Sequence, residues 1–307
     1  MTSQDRFSGV LAPVVTPFGQ DLAPDAARLA AHCKWLVSHG VRLAVFGTNS
    51  EANSMSVGEK QDLLDRLAGS GVEPADMMPG TGACALSDAV ALTAHAVRLG
   101  CGGVLMLPPF YYKGVPEDGL YRYYAEVIGR VGADGLRIYL YHIPHLTGVP
   151  ITLGLIERLV RDFPGTVVGI KDSSGDWANT QAMLDRQWDD FAVFVGSEDF
   201  LLQGMRNGAV GCISATANVN PQAIARLAAH WRDADADAAQ ADLSAVRKIF
   251  QQRPMIPAMK YAIAHYGSDP GWTQVRPPLV PLGKADGEGL IADLDTAGFG
   301  ALAGVTA

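Results

Sequence analysis

The sequence predicts an α/β protein, a (β/α)8 TIM barrel with a C-terminal helical appendage. Three observations lead there. Short apolar runs alternate with amphipathic stretches from the first residues to about position 225. That alternation never changes to the tight rhythm of hairpins, so the runs read as parallel strands joined by helical crossovers. Polar and glycine-rich residues gather directly after the apolar runs, where a barrel carries its chemistry. A doubly wound open sheet is the competing architecture, but no G-x-G-x-x-G follows the first run and no Walker loop occurs.

The strand candidates, in order, are 9–15, 41–47, 76–80, 102–107, 136–143, 166–171, 191–196 and 209–214. Between the third and fourth lies a helix ending at Leu99, with Ser87 as its N-cap and Gly100 as its C-cap. Between the fourth and fifth, Pro116 to Arg130 places Leu120, Tyr123, Tyr124 and Val127 at helical spacing, with Glu117 and Asp118 in the first turn. The last eighty or so residues contain no strand candidate. They read as Pro221 to Trp231, an alanine- and aspartate-rich passage at 233–240, a helix to about Gln252, and Pro257 to Tyr266. The passage at 233–240 fits either a mobile loop or a solvated helix face. The expected organisation is a barrel over 1–225 and a helical extension of the same domain over 226–307.

The chain has 307 residues, 48% of them hydrophobic, and a net charge of −8. That content supplies an ample core. The acidic balance and the absence of a basic run argue against nucleic acid or an anionic membrane as partner. Cys33, Cys84, Cys101 and Cys212 show no C-x-x-C spacing and read as reduced thiols. Met-Thr-Ser-Gln-Asp-Arg at the N-terminus lacks a signal-peptide pattern, and no 18-residue uncharged apolar stretch occurs. A cytoplasmic location is the expectation.

One lysine stands apart. Lys171 closes the apolar run Thr166-Val167-Val168-Gly169-Ile170 and opens the polar Asp172-Ser173-Ser174-Gly175-Asp176, whereas the lysines at 34, 60, 113, 248, 260 and 284 mostly read as helix-surface or loop residues. Charge on a buried amine costs hydration, and a neutral amine is a nucleophile for carbonyl carbon. The plain alternative is a snorkelling lysine, or one paired with Asp172. Other strand ends supply Gly47-Thr48-Asn49-Ser50-Glu51, Gly80-Thr81-Gly82, Pro108-Pro109-Phe110-Tyr111-Tyr112, Tyr141-His142-Ile143-Pro144, Gly196-Ser197-Glu198-Asp199 and Ile213-Ser214-Ala215-Thr216-Ala217-Asn218. A lysine imine needs a proton shuttle, donors for a substrate anion, and walls against bulk water. Tyr141 can shuttle and Thr48 can donate. A metal-run aldol reaction is the rival, with His142 and His145 three apart on one loop. Alternate strand residues face opposite ways and no carboxylate cluster completes the ligand set, so no metal is expected.

These residues resemble the class I pyruvate-type aldolases grouped with dihydrodipicolinate synthase and N-acetylneuraminate lyase, over nearly the whole chain. Val15-Thr16-Pro17-Phe18 resembles that family's opening. Gly47 to Glu51 is similar to its G-[ST]-T-G-E turn, Tyr141 to Pro144 to its Y-N-[IV]-P, and Gly169 to Asp176 to the segment around its Schiff-base lysine. The resemblance implies that Lys171 forms an iminium with pyruvate or another 2-oxo acid and that Tyr141 relays protons. It implies that Thr48 and the backbone amide of Asn49 hold the carboxylate, and that Ile213 lines the imine pocket. It further implies that Tyr111 reaches a neighbouring subunit's site, hence a homo-oligomer, commonly a dimer of dimers. No metal or organic cofactor is implied, because the iminium itself is the electron sink.

Departures from the family bear on substrate. Leu146 stands where dihydrodipicolinate synthases carry an arginine for the second substrate's carboxylate, a loss of roughly a few kcal/mol. Ala215 stands where sialic acid lyases offer a serine. Asn49 and Ser50 replace Thr-Gly, which would alter the turn if its fourth position needs positive φ, and His142 replaces an asparagine for no evident reason. The expected function is that of a Schiff-base lyase or aldolase acting on pyruvate or a 2-keto-3-deoxy acid by carbon–carbon cleavage or condensation. Ser173, Gly196, Ser197, Glu198 and Thr216 then sit around the mouth as substrate-binding candidates. Dehydration by the same iminium is an alternative. So are true 4-hydroxy-tetrahydrodipicolinate synthesis, which Leu146 disfavours, and a 2-oxo-acid sensor, for which a retained proton relay has no use.

Overall fold

A computed structural model describes residues 6–299. Residues 1–5 of the N-terminal segment and residues 300–307 of the expected C-terminal extension lie outside the described residues.

The chain alternates strand and helix as its hydrophobic pattern dictates. It begins β1 (Gly9–Ala12), α1 (Ala26–Ser38), β2 (Arg42–Leu43), α2 (Val57–Gly69), α3 (Leu86–Arg98), β3 (Val104–Met106) and α4 (Glu117–Val131). It continues β4 (Ile138–His142), α5 (Pro144–Thr147), α6 (Leu153–Asp162), β5 (Val167–Asp172), α7 (Trp177–Leu184), β6 (Ala192–Val195), α8 (Leu201–Arg206) and β7 (Gly211–Ile213). Helix starts are fixed by local chemistry. Asp25 caps α1 by accepting from the Arg28 amide, Thr152 caps α6 through the Leu155 amide, and Ser56 and Glu59 cap each other at α2. The expectation for Ser87 is corrected: α3 begins two residues earlier than that cap implies, at Leu86, behind Ala85, which makes no side-chain cap. Gly100 does follow that helix in the left-handed region, φ +78°.

The seven strands form one parallel sheet in the order β2-β1-β7-β6-β5-β4-β3. The expected strand 76–80 is not a ladder strand. It makes one parallel bridge to each edge of the sheet, Leu43 with Met77 and Gly80 with Leu105. Pro79 has no amide to donate, and only its neighbours Met78 and Gly80 donate to Leu43 and Val45 carbonyls, at 2.7 Å each. Both edges are thereby joined through this segment, and the sheet curls into a TIM-barrel-like fold. Leu11, Ala44, Met78, Leu105, Tyr139, Val168, Phe194 and Ile213, one from each apolar run, pack together inside the curl. A larger apolar layer lies between the sheet and its helices.

After β7 the described chain is helical: α9 (Pro221–Ala229), α10 (Ala236–Gln251), α11 (Met255–Tyr266) and α12 (Lys284–Thr296). The passage at 233–240 is helical from Ala236 onward. Among the described residues no helix is long and apolar enough to cross a membrane.

Candidate active site

Strand register assembles the centre of the site. Tyr141 on β4 pairs with Lys171 on β5, which pairs with Phe194 on β6, so the three side chains stand side by side on the inner face. Gly169, two residues before Lys171, leaves room for the inner ring of Tyr139, since a Cβ there would lie 2.7 Å from that ring. Lys171 is 3% exposed and Tyr141 2%. Lys171 Nζ donates to the Tyr141 hydroxyl at 3.2 Å and lies 4.2 Å from the ring centroid. The same hydroxyl is 3.3 Å from Thr48 Oγ1. Thr48, Tyr141 and Lys171 therefore form one chain of exchangeable protons.

Asp172 does not pair with Lys171. Consecutive strand residues face opposite ways, and its carboxylate accepts instead from the Ser174 amide at 2.9 Å, Asn179 Nδ2 at 3.0 Å and Thr180 Oγ1 at 2.6 Å. Among the described residues Lys171 has no carboxylate partner. Its amine ends in a cavity of about 470 Å³ that Thr48, Asn49, Tyr141, Ser173 and Gly196 also line. Gly196 makes this close approach possible, because a Cβ there would meet Ser173 Oγ at 2.2 Å.

The turn bearing Thr48 and Asn49 is built differently from a glycine turn. Ser50 sits in a short 3-10 helix, Thr48–Ser50, and the left-handed residues are Phe46 and Glu51 on either side. Ser50 accepts from the Gly47 amide at 3.2 Å, and its carbonyl accepts from Thr16 Oγ1 at 2.8 Å. The replacement of Thr-Gly by Asn-Ser thus leaves no positive φ at the fourth position. Glu51 anchors the turn from below: its carboxylate takes the Lys260 amine at 2.5 Å and the Arg276 amide at 2.8 Å, and both side chains of the ion pair are 0% exposed.

Other candidates fall elsewhere. Ile213 packs beneath Tyr141 in the inner cluster. Tyr111 is 74% exposed, edge-on to Tyr112, and does not join Thr48 and Tyr141 within one chain. Glu198 and Thr216 are corrected as mouth residues. Both are buried, and the Glu198 carboxylate takes the hydroxyls of Ser214 and Thr216 and an ion pair with Arg247 at 2.8 Å. A buried carboxylate requires such partners, which turns it from the cavity. His142 faces the helix layer, where Nδ1 accepts from the Ile151 amide at 3.0 Å. Burial lowers its pKa against the opposing Asp172 charge. This histidine ties β4 to the segment before α6, which accounts for its presence. His145 lies apart from it on the cavity wall, and among the described residues no group of three or more possible metal ligands occurs.

Sequence reasoning missed Lys260 and the cavity residues Arg247, Gln251 and Met255 of α10 and α11. Lys260 had a signal like that of Lys171, a lone cation in Ala258-Met259-Lys260-Tyr261-Ala262-Ile263. Arg247 had none, since arginine on an amphipathic helix ordinarily faces water.

The model of the dihydrodipicolinate synthetase family matches residues 6–297. An uncharacterised DapA-like lyase of Chloroflexus aurantiacus is 35% identical over 281 residues, covering 91% of this chain and 93% of that protein. A 4-hydroxy-tetrahydrodipicolinate synthase of Thermus thermophilus is 37% identical over 227 residues, 72% and 73% of the two chains. Among solved structures, dihydrodipicolinate synthase from Agrobacterium tumefaciens superposes with a TM-score of 0.88 at 31% identity, over 95% of this chain and 99% of that one. YagE of E. coli K12, solved in complex with pyruvate, gives 0.88 at 28% identity over the same shares.

Proposed function

Because the chain belongs to the dihydrodipicolinate synthetase family, we propose that it is a lyase that works through a Schiff base on Lys171. One observation carries this reading: a buried primary amine, free of any carboxylate partner among the described residues, shares a hydroxyl with Thr48 beside a cavity that both residues line. The amine attacks the C2 carbonyl of a 2-oxo acid, and Tyr141 passes the protons that turn the carbinolamine into water and an iminium. Thr48 Oγ1 and the Asn49 amide receive the C1 carboxylate. In a 2-keto-3-deoxy acid with a C4 hydroxyl, loss of the hydroxyl proton breaks the C3–C4 bond, releases an aldehyde and sends the electron pair to nitrogen. The enamine is protonated at C3, and water releases pyruvate and the free lysine. Dehydration starts from the same iminium by loss of a C3 proton and of hydroxide from C4.

The relatives named 4-hydroxy-tetrahydrodipicolinate synthase favour a second reading, condensation of pyruvate with an amino aldehyde acid. Leu146 counts against it, because the position that would hold a guanidinium offers an apolar side chain to the cavity. Tyr111, Tyr112 and Leu146, three of the few large apolar residues exposed among the described residues, support assembly with a second copy and a Tyr111 shared across the contact. Four free thiols fit a reducing cytoplasm. Residues 226–299 are best taken as part of the barrel's own folding unit, since Arg247, Gln251 and Met255 complete the cavity wall.

The test is borohydride reduction in the presence of pyruvate, read by intact mass and peptide mapping. A single reduced pyruvate adduct on Lys171, absent in Lys171→Ala, is the expected result. A folded Lys171→Ala protein that keeps substantial turnover would remove the imine from the mechanism.

A further inference from the structure

The turn that carries Thr48 and Asn49 is closed by a side chain. Its backbone folds through three bonds: the Ser50 amide donates to the Gly47 carbonyl at 3.1 Å, the Ala52 amide to the same carbonyl at 3.3 Å, and the Glu51 amide to the Thr48 carbonyl at 3.1 Å. Ser50 adds the reverse bond, its Oγ accepting from the Gly47 amide at 3.2 Å. Gly47 and Ser50 are thereby tied in both directions, and Ser50 is 0% exposed. A trans peptide turns its N–H away from its C=O. The carbonyls of Gly47 and Thr48 are engaged inside the turn, so the N–H groups of the same two peptides, those of Thr48 and Asn49, point out of it. Among the described residues neither N–H has a hydrogen-bond partner, and both residues line the cavity that Lys171 lines.

We propose that Ser50 is a positioning residue for the carboxylate of a 2-oxo acid: its hydroxyl never meets the substrate, but by holding the Gly47 amide it keeps two successive free N–H groups aimed at one anion. This deepens the preceding reading and rests on it, since Lys171 takes the ketone of the same acid. The surroundings fix everything else about the turn. Phe46 and Glu51, on either side, occupy the left-handed region at φ +60° and +57°, which residues other than glycine keep only where their neighbours hold them. Gly80 lies against Phe46 so closely that a Cβ would meet its carbonyl oxygen at 2.1 Å. The Glu51 carboxylate is held by Lys260 and the Arg276 amide, and the Ser50 carbonyl by Thr16 Oγ1. Inside this frame one hydroxyl decides whether the 46–47 peptide stays put. Without it the buried Gly47 N–H lacks its acceptor, and rotation toward another acceptor carries the Thr48 N–H with it.

The experiment measures half-saturation for pyruvate and for hydroxyacetone, a methyl ketone without a carboxylate, in the wild type, Ser50→Ala and Ser50→Gly. Reductive trapping at Lys171 gives one reading, and titration calorimetry gives a second that needs no imine. The preference for pyruvate over hydroxyacetone should fall by about tenfold in both variants, the worth of a lost hydrogen bond to a charged group. KM for the acid should rise while kcat holds, the mark of lost uniform binding. A merely stabilising role for Ser50 would lower the urea midpoint and leave the preference where it is, because the ratio is taken within one protein. An unchanged ratio in either variant, or a fall in kcat with KM unchanged, overturns the proposal. Failure to trap either ketone at Lys171 overturns the imine reading instead, while the calorimetric ratio still decides Ser50.

Discussion

Replacement of Lys260 by methionine tests how the turn bearing Thr48 and Asn49 is held. Lys260 comes from α11, far along the chain, and its amine contacts Glu51 at 2.5 Å with both side chains out of solvent. Burial lowers the Lys260 pKa to about 8 and the Glu51 charge limits the fall, so the amine is still charged at pH 7. Methionine fills similar volume but leaves the Glu51 carboxylate with the Arg276 amide alone. Breaking a buried pair from one side costs roughly 3–5 kcal/mol, a large part of the roughly 5–15 kcal/mol by which a domain is stable. The desolvation of Glu51, rather than lost contact area, sets that cost. Glu51→Gln on top of Lys260→Met removes the stranded charge and should return most of the loss, a coupling that a double-mutant cycle reads directly. Urea unfolding at pH 7 measures all four proteins. A Lys260→Met protein within about 1 kcal/mol of the wild type would refute the argument, as would a double variant no more stable than the single one.

Tyr141→Phe keeps the ring that packs in the inner cluster but removes the hydroxyl shared by Lys171 and Thr48; turnover should fall by roughly 10²–10⁴, and steady-state rates equal to wild type would take Tyr141 out of the proton chain. His32 gives a pH prediction. Its ring is buried against Trp35 and Trp272 with Nε2 3.3 Å from Asn218 Oδ1, and burial lowers its pKa from 6.5 to about 4. Between those values the unfolded chain binds the proton and the folded one does not, so the His32 contribution is fully present above pH 6.5 and is lost as pH falls to about 4. The loss should be on the order of 3 kcal/mol. Urea midpoints between pH 7 and pH 4 should drop less steeply in His32→Gln than in the wild type, and parallel slopes would show that His32 is not the group responsible.

The sequence made legible what depends on local periodicity and missed what depends on distant partners. Seven of the apolar runs became strands because each alternates faces or is buried on both. The run at 76–80 did not, because Pro79 breaks its ladder, a signal present in the sequence but outweighed by the rhythm of the runs. Lys171, Tyr141 and Thr48 were readable as strand-end residues, and the register of β4 with β5 then joined them. Glu198 was misplaced because its position after a strand says where its backbone is and nothing of the Ser214, Thr216 and Arg247 side chains that turn it inward.

The same limit explains the largest omission, the part played by the C-terminal helices. Read alone, α10 and α11 look like cover for an apolar layer, and most of their residues are that. Yet Lys260 pairs with Glu51 beside the turn that carries Thr48 and Asn49, and Arg247 lines the cavity. Lys260 is a single cation on a buried helix face, Arg247 shares its face with Gln240, Ser244 and Gln251, and each cation meets a buried carboxylate from the barrel, Glu51 or Glu198. Strand-end acids and helix cations thus meet in the interior, Glu51 with Lys260 and Glu198 with Arg247, and the last helices supply the charges that let those acids be buried.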